Sequence, residues 1–583
     1  MKLRQLLQNV DIINVLQGCD YTPSLTLPPR GPACHPSGRG EQGWGDMDIS
    51  GVAYDSREVK EGYLFVAMTG KKYDGHDFIR NAIKKGAVAV VYEKAIDTQS
   101  LVNSQQSNPP LPPFAKGGMG GLCFIKVENS RKALACIANN YYERPSESLV
   151  LIGITGTNGK TTTTYILKSI LETWGKKVGL IGTIQYVIKD KVYPAIYTTP
   201  ESLEFHGLLK DMFLLECTHV ISEVSSHALA QYRVDGTIFE VAIFTNLTRD
   251  HLDFHKTMED YFRAKERLFR VLLTREGTSV INLDDPYGRR LNSELRTWDS
   301  KQKIVTYGFK EGADIIASEV DSSINGLRFK MSFSGKNYDV SSHLIGLPNV
   351  YNIMSAAGAL LSIGVPWEII LEGIEKTGDV TGRFEKVDLG QNFVCIVDYA
   401  HTEDALERLI ESARELLEKS SVSNTPSLTL PPRGGGQGWG GDSELRTRNS
   451  SPRVITVFGC GGDRDRGKRP RMGAVATRLS DFVIITSDNP RSEEPSDIIM
   501  EIVHGAEKRN YLIEVDRREA IRRAVDMADY GDVILIAGKG HEDYQEIKGV
   551  RYTFNDREVL EETIKHKIQD TRCRIQPPSL PPY

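Results

Sequence analysis

One stretch constrains the chain more than any other: Leu149 to Thr164, reading L-V-L-I-G-I-T-G-T-N-G-K-T-T-T-T. A short apolar run (Leu149, Val150, Leu151, Ile152) gives way to a Gly-rich turn, and helical character follows from Thr161 (T-T-T-Y-I-L-K-S-I-L-E-T-W). Strand, loop and helix N-terminus in succession turn the backbone N–H groups of Gly156, Thr157, Asn158, Gly159 and Lys160 toward one point, which suits a polyphosphate. Lys160 then reaches its outer oxygens, and Thr161, followed by Thr162, offers a hydroxyl to Mg2+. The competing reading, an ordinary Gly-rich turn, requires G-K-T to fall between a strand and a helix by coincidence.

At 583 residues the chain has room for three or four domains with cores of their own. A hydrophobic fraction of 40% and a charged fraction of 26% are those of a globular protein. A formal charge of −5 speaks against a general nucleic-acid binder. No apolar run is long enough to span a bilayer. The N-terminal M-K-L-R-Q-L-L-Q-N-V-D-I-I-N-V-L-Q-G-C lacks the apolar core of a signal peptide. The eight Cys are scattered without metal-ligand spacing and read as reduced thiols, so the expected compartment is the cytoplasm.

Residues 1–148 read as a small α/β unit: G-V-A-Y-D-S-R, the strand Y-L-F-V-A, K-K-Y-D-G-H-D-F, a helix Phe78–Lys85 and the strand A-V-A-V-V-Y. Its Asp and Ser also suit turns and helix caps. T-P-S-L-T-L-P-P-R-G occurs twice, at Thr22–Gly31 and Thr425–Gly434, and P-P-L-P-P-F-A-K-G-G-M-G-G lies at Pro109–Gly121. S-E-L-R-T occurs at both Ser293 and Ser443. Such Pro/Gly density cannot build a core, so inserts near 21–46, 103–121 and 421–450 are expected in surface loops, where added length costs little. A Pro-rich docking motif is the rival reading.

After the phosphate loop come T-T-P (Thr198–Pro200), then E-V-S-S-H-A-L-A-Q-Y-R from Glu223, then T-N-L-T-R-D-H-L-D-F-H carrying Asn246, Asp250 and His251. A carboxylate at the end of a strand beside a phosphate loop is well placed for Mg2+. Helix Met258–Phe269 carries Lys265. Singly, Glu223 also reads as a surface carboxylate, His251 as a core histidine and Lys265 as a solvated helix residue.

Together, T-G-T-N-G-K-T-T, T-T-P, E-V-S-S-H-A-L-x-Q-x-R, T-N-L-x-R-D-H-L-D-x-H and Y-x-x-A-K, in this order, resemble the Mur ligase family. These are ATP-dependent amide-forming enzymes that also include folylpolyglutamate synthetase. The resemblance implies an α/β fold in three domains: a small uridine-nucleotide domain (1–148), a central P-loop ATPase domain (149–380) and a Rossmann-like C-terminal domain (381–573), with a tail at 574–583. It implies that Thr161 and Glu223 hold one Mg2+, that His251 helps hold a second, and that Lys265, if carbamylated, supplies an anion beside it. Thr198, Thr199, Ser225, Gln231 and Arg233 match residues gripping a muramoyl-dipeptide; Tyr54 and Ser56, with the loop at Asp74, Gly75 and His76, match uridine-nucleotide positions. Asn349 and Asn352 match the adenine side, and Arg383 and Asp398 match residues reaching ATP from the third domain.

Three further motifs end strands of that domain: G-C-G-G-D-R-D-R-G-K-R-P from Gly459, D-N-P-R from Asp488 and G-K-G-H-E from Gly538. They gather at the carboxyl edge of a parallel sheet, where ligands bind. A solvated basic loop or a nucleic-acid patch is the alternative for Arg464, Arg466, Lys468, Arg469 and Arg471. D-N-P-R resembles family members that add meso-diaminopimelate. That amino acid exceeds lysine by one carboxylate, which an arginine fork rewards, whereas a buried Arg facing a bare ammonium is repelled. By this match Arg464, Asp488, Asn489, Pro490, Arg491, Gly538 and Glu542 bind the amino acid.

The implied activity joins meso-diaminopimelate to UDP-N-acetylmuramoyl-L-alanyl-D-glutamate with ATP and Mg2+, in a monomer that binds no nucleic acid and enters no membrane, and whose domains close on their substrates. Lysine-adding or folate relatives, a non-catalytic nucleotide-binding protein and a nucleic-acid NTPase are the alternatives. Limited proteolysis is expected to cut within the Pro/Gly-rich stretches first, read by N-terminal sequencing of the fragments; early cuts elsewhere refute the assignment.

Overall fold

The computed structural model describes residues 1–17, 44–70, 73–98, 101, 122–298, 301–423 and 451–575. The stretches Thr22–Gly31, Pro109–Gly121 and Thr425–Gly434 lie outside these residues. The S-E-L-R-T copy at Ser293 lies inside them and is no insert. It closes the helix Pro286–Arg296, and its Leu295 is buried one helical turn after Leu291.

The strands form three large sheets. The first contains β1 (Ile12–Gln17), β2 (Gly51–Ala53), β3 (Tyr63–Val66), β4 (Ala87–Tyr92) and β5 (Cys123–Val127) in the order β1-β5-β4-β3-β2, with β1 antiparallel to β5 and the rest parallel. The second contains β6 (Val150–Thr155), β7 (Val178–Ile181), β8 (Gln185–Ile188), β9 (Lys191–Pro194), β10 (His219–Glu223), β11 (Phe239–Phe244), β12 (Leu273–Asn282), β13 (Lys303–Gly308), β14 (Ile315–Ser323), β15 (Gly326–Phe333) and β16 (Lys336–Ser342). Its order is β16-β15-β14-β13-β12-β11-β6-β10-β7-β8-β9, parallel from β7 to β14 and antiparallel at both margins. The third contains β17 (Glu385–Val387), β18 (Val394–Asp398), β19 (Val454–Phe458), β20 (Phe482–Ile485), β21 (Tyr511–Ile513) and β22 (Val533–Ala537), ordered β17-β18-β22-β19-β20-β21, with β17 alone antiparallel. A hairpin, β23 (Tyr544–Ile547) and β24 (Val550–Thr553), follows.

Period-two alternation decides how the sheets are covered. In β6, Ile152 and Ile154 enter one apolar cluster and Leu151 the opposite one. In β22, Val533, Leu535 and Ala537 divide from Ile534 and Ile536 in the same way. In β4, Ala89 and Val91 part from Val90 and Tyr92. Such strands read as continuous apolar runs because both faces are covered by helices. β6 lies between β10 and β11, so its connections diverge at its carboxyl end and open a crevice there.

Some boundaries differ from the sequence reading. β6 runs on to Thr155, because parallel neighbours on both sides hold the backbone extended to the lip of the loop. The helix expected at Phe78–Lys85 is a 3-10 turn Gly75–Phe78 followed by Ile79–Lys84. The helix from Met258 is α-helical to Arg267 and continues as a wider π turn over Leu268–Leu272. Both ends of the segment between Gln17 and Trp44 are pinned: β1 pairs with β5, and Leu3 N–H donates to Met47 O at 2.9 Å while Ile49 N–H donates to Met1 O at 2.9 Å.

The third sheet is locked by a fully buried ion pair. Arg517 donates through Nε to Asp556 Oδ1 at 2.8 Å and through Nη2 to Asp556 Oδ2 at 2.7 Å, and Nη2 also reaches Ala537 O at 3.0 Å. Arg517→Met is expected to cost about 3–5 kcal/mol, since it strands a buried carboxylate, and adding Asp556→Leu should restore most of that. Urea midpoints of the two variants check both signs.

Candidate functional site

A cavity of about 530 Å³ opens at the carboxyl end of β6, walled by the second sheet, the helix Leu347–Ser362 and the third sheet's β18 edge. Its floor is the Gly156–Lys160 loop. Gly156 has φ +155° and Gly159 φ +88°; a Cβ on the first would stand 1.9 Å from Thr245 Oγ1, and on the second 2.4 Å from Asn352 Oδ1. Only glycine fits either place. Two of the five N–H groups expected to face a polyphosphate are already engaged by Asn246, also in the cavity wall: Thr157 N–H donates to Asn246 O at 2.9 Å and Asn158 N–H to Asn246 Oδ1 at 2.9 Å, so the next strand braces the loop there.

Lys160 Nζ folds back onto the loop and donates to Gly156 O and Thr157 O, each at 2.9 Å. Burial lowers its pKa. Lys265 Nζ donates to the same Gly156 O at 2.8 Å from beneath, and burial first, then Lys160, pushes it well below the usual lysine range. Lys265 therefore sits under the loop and is not part of the cavity lining.

Glu223, at the end of β10, is fully buried. Its Oε2 accepts from Thr161 Oγ1 at 3.1 Å and from Thr183 Oγ1 at 2.9 Å, and its Oε1 accepts from Thr183 N–H at 2.8 Å. Arg383 crosses from the third sheet and donates through Nη2 to Thr161 Oγ1 at 3.1 Å; its Nε is buried without a partner. His251 faces the cavity with Nε2 3.3 Å from Asp250 Oδ2, and burial pushes it down to about 4, so the ring is neutral at pH 7. The orphaned Arg383 N–H, the folded-back Lys160 and the Cβ-free cradle fit a polyphosphate. A carboxylate and a hydroxyl 3.1 Å apart are hard donors that fit Mg2+. Among the described residues no three His, Cys, Asp or Glu converge. A cation held by these two groups would take its other ligands from water and phosphate oxygens, as Mg2+ commonly does.

The remaining residues fall into groups. Asn349 and Asn352 lie in the cavity wall, joined by Asn352 Nδ2 donating to Asn349 Oδ1 at 2.9 Å. Asp398 also lines the cavity, and its oxygens accept from Phe384 N–H at 2.6 Å and Ala400 N–H at 2.7 Å, so it shapes the Arg383 turn. Thr199 Oγ1 donates to Glu223 O at 2.8 Å and accepts from Ser225 N–H at 3.1 Å, while Thr198 and Ser225 line the cavity. Arg233 donates to Gln231 Oε1 at 2.8 Å and to Thr199 O at 3.0 Å, and pairs with Glu201 at 3.0 Å. Tyr54 and Ser56 stand apart from the cavity: Tyr54 donates to Glu204 Oε1 at 2.8 Å across the first and second sheets, and Ser56 Oγ accepts from Asn81 at 3.3 Å. Asp74 caps the turn after it by accepting from His76 N–H at 3.1 Å, and His76 spends its ring on Asp74 and on the N–H groups of Glu93 and Lys94.

The amino-acid group gathers at the carboxyl edge of the third sheet. Tyr399, in the cavity wall, has its ring 5.1 Å from that of His541, beside Glu542. Asp488, Asn489 and Pro490 are buried or nearly so, and Asn489 Nδ2 donates to Glu542 Oε2 at 2.7 Å. Arg491 has φ +52° and donates to Gly462 O at 2.6 Å, and Gly538, with φ +116°, has no room for a Cβ beside Asp488 Oδ2. Arg464 is exposed. Arg469 is fully buried and pairs with Glu493 at 2.8 Å and Glu501 at 2.9 Å, so it is neither a solvated loop residue nor part of a nucleic-acid patch. Sequence reading missed Thr183, Asp404, whose carboxylate accepts from Asn158 Nδ2 at 2.8 Å, and Lys539. Only Lys539 carried a signal, as the lysine inside G-K-G-H-E.

A family model of the Mur ligase middle domain matches residues 154–360, one of the Mur ligase glutamate ligase domain matches 443–540, and one of the Mur ligase family catalytic domain matches 48–142. The chain is 42% identical over 522 residues to the UDP-N-acetylmuramoyl-L-alanyl-D-glutamate--2,6-diaminopimelate ligase of Clostridium tetani, covering 89% of this chain and 96% of that protein. Against the like-named ligase of Aquifex aeolicus it is 42% identical over 517 residues, covering 88% and 94%. A solved structure of a UDP-N-acetylmuramoyl-L-alanyl-D-glutamate--2,6-diaminopimelate ligase is similar with a TM-score of 0.59 at 30% identity, over 91% of this chain and 97% of that one.

Gly156→Ala is expected to weaken nucleotide binding by at least roughly tenfold, about 1.4 kcal/mol, because the loop must shift to clear Thr245. Titration calorimetry with the circular dichroism spectrum unchanged checks it.

Proposed function

The chain belongs to the Mur ligase family, and we propose that it joins meso-diaminopimelate to UDP-N-acetylmuramoyl-L-alanyl-D-glutamate, an ADP-forming step of peptidoglycan precursor synthesis. The observation that carries this reading is the cavity in which Lys160, Thr161, Glu223, His251 and Arg383 face one another across two domains, beside the D-N-P-R and G-K-G-H-E loops. We further assign residues 1–148, 149–380 and 381–573 to the uridine nucleotide, ATP and the amino acid respectively, in a cytoplasmic monomer. No helix of the described residues is long and apolar enough to cross a membrane.

The chemistry begins with two anions that repel. The γ-carboxylate of the D-glutamyl residue attacks the γ-phosphorus of ATP, ADP departs, and an acyl phosphate remains. Lys160 leaves the loop carbonyls for the phosphate oxygens, where a phosphate's charge restores the ammonium that burial disfavours. Arg383 offers its unpartnered Nε and the rest of its fork to the transferring group. Thr161 and Glu223 would hold one Mg2+ and His251 would help hold a second, and the ions would supply charge neutralisation when bound. Burial first, then Lys160, shifts Lys265 toward the uncharged amine, the form that can add CO2 and so become an anion.

The second half is aminolysis. The amine of diaminopimelate attacks the activated carbonyl, phosphate leaves, and the amine's proton passes to solvent. Arg491 and Arg464 are assigned to the distal carboxylate and Glu542 to the distal ammonium. No side-chain nucleophile is needed, so positioning supplies much of the rate.

Phosphate release with the nucleotide dipeptide present is expected to require diaminopimelate and to respond to lysine at least roughly a hundredfold less, since lysine lacks the second carboxylate assigned to Arg491 and Arg464. Lys160→Ala is expected to abolish release, roughly a thousandfold or more. Turnover in that variant, or turnover without amino acid, refutes the scheme.

A further inference from the structure

The side chain of Lys539 is wholly buried, yet nothing above gives it a task. It lies between the three pieces of the amino-acid edge. Its Nζ donates to Asn489 Oδ1 at 3.3 Å, to Glu542 Oε2 at 3.4 Å and to Tyr544 O, so all three ammonium protons have acceptors. Each acceptor belongs to a different segment: the loop after β20, the loop after β22, and β23.

These bonds settle the orientation of the Asn489 amide. Asn489 Oδ1 accepts from Glu546 N–H at 2.8 Å as well as from Lys539, so the NH2 must face the other way. There it donates to Glu542 Oε2 at 2.7 Å. Oε2 is thus engaged twice, which leaves Oε1 for an incoming ammonium. The same hairpin holds the arginine of the motif, since Arg491 N–H donates to Glu546 O at 2.9 Å and Lys548 N–H donates to Arg491 O at 2.6 Å. Reorienting Asn489 would therefore disturb both the group assigned to the distal carboxylate and the group assigned to the distal ammonium.

We propose that Lys539 is a positioning residue of the amino-acid pocket, holding Asn489 and Glu542 in the arrangement that receives the distal end of the diamino acid. This rests on the function proposed above. The electrostatics agree with the geometry. Burial first, then Asp488, raises the Glu542 pKa, and Lys539 with Asn489 opposes them. Arg517, Tyr399 and Tyr544 are the other titratable groups that interact with Glu542. Removing the Lys539 charge leaves Asp488 less opposed, so Glu542 takes up its proton at a higher pH and stops accepting from an ammonium.

The test is a series of Lys539→Met, Lys539→Gln and Lys539→Arg, assayed by phosphate release beside the parent enzyme. In the Met and Gln variants the KM for diaminopimelate is expected to rise at least roughly tenfold at pH 8, while the KM for ATP stays within about twofold. That KM should climb further as pH falls from about 8 to about 6, with an onset at least about one pH unit above the parent's. Lys539→Arg, which keeps the charge, should show the smaller pH effect. A folded Met or Gln variant with parent-like KM and pH profile overturns the proposal, as does a fall in kcat with every KM unmoved. If none of the three folds, Lys539 is only a core anchor and the proposal fails. If the parent itself ignores diaminopimelate, the proposed function fails and takes this inference with it.

Discussion

One carbonyl oxygen carries the tension on which the site depends. Gly156 O accepts from both Lys160, half-buried at the cavity, and Lys265, fully buried, two amines brought to a single acceptor with no carboxylate bonded to either. Burial and mutual repulsion disfavour two full charges there, and a polyphosphate relieves that by giving Lys160 a stronger partner. The loop that permits this cannot relax, because Thr245 and Asn352 occupy the space where a side chain on Gly156 or Gly159 would go. The glycines, the lysine pair and their surroundings are therefore one constraint, set where β6 ends between two diverging connections.

The third sheet completes that constraint from outside. Arg383 bonds Thr161, Asp404 bonds Asn158, and Arg249 stands 3.5 Å from Asp465. These links join the carboxyl edges of two largely parallel sheets, so the phosphate loop and the loops proposed to hold the amino acid flank one junction though they lie roughly 300 residues or more apart in sequence. In the proposed reading, nucleotide and amino-acid groups stand on two bodies, so each is built rigidly on its own strands and the reacting atoms meet at the junction.

Much of this was legible in the sequence because the local rules agreed with one another. Apolar runs such as V-I-L-I-A are strands covered on both faces, and G-K-T after such a run is a loop whose geometry allows few residues. The failures have physical causes. Ser293–Thr297 resembled an insert only because its letters recur; Leu295 at helical spacing from Leu291 settles it. Thr183 was missed because its partner Glu223 lies 40 residues away, Lys539 because its bond to Asn489 joins two motifs 50 residues apart, and Arg469 looked like surface charge although Glu493 and Glu501 pair with it.

The pinned ends of the first sheet have a consequence for how such a chain can change. Hydrogen bonds on either side of the stretch between Gln17 and Trp44 hold the strand register there, and β19 is likewise fixed by parallel pairing to β20 and β22 after the helix Glu403–Ser423. Contour length there is decoupled from catalytic geometry, since closing a longer excursion grows only logarithmically in cost. Those junctions act as grafting ports, places where foreign coding sequence can land and persist while the crevice keeps its shape.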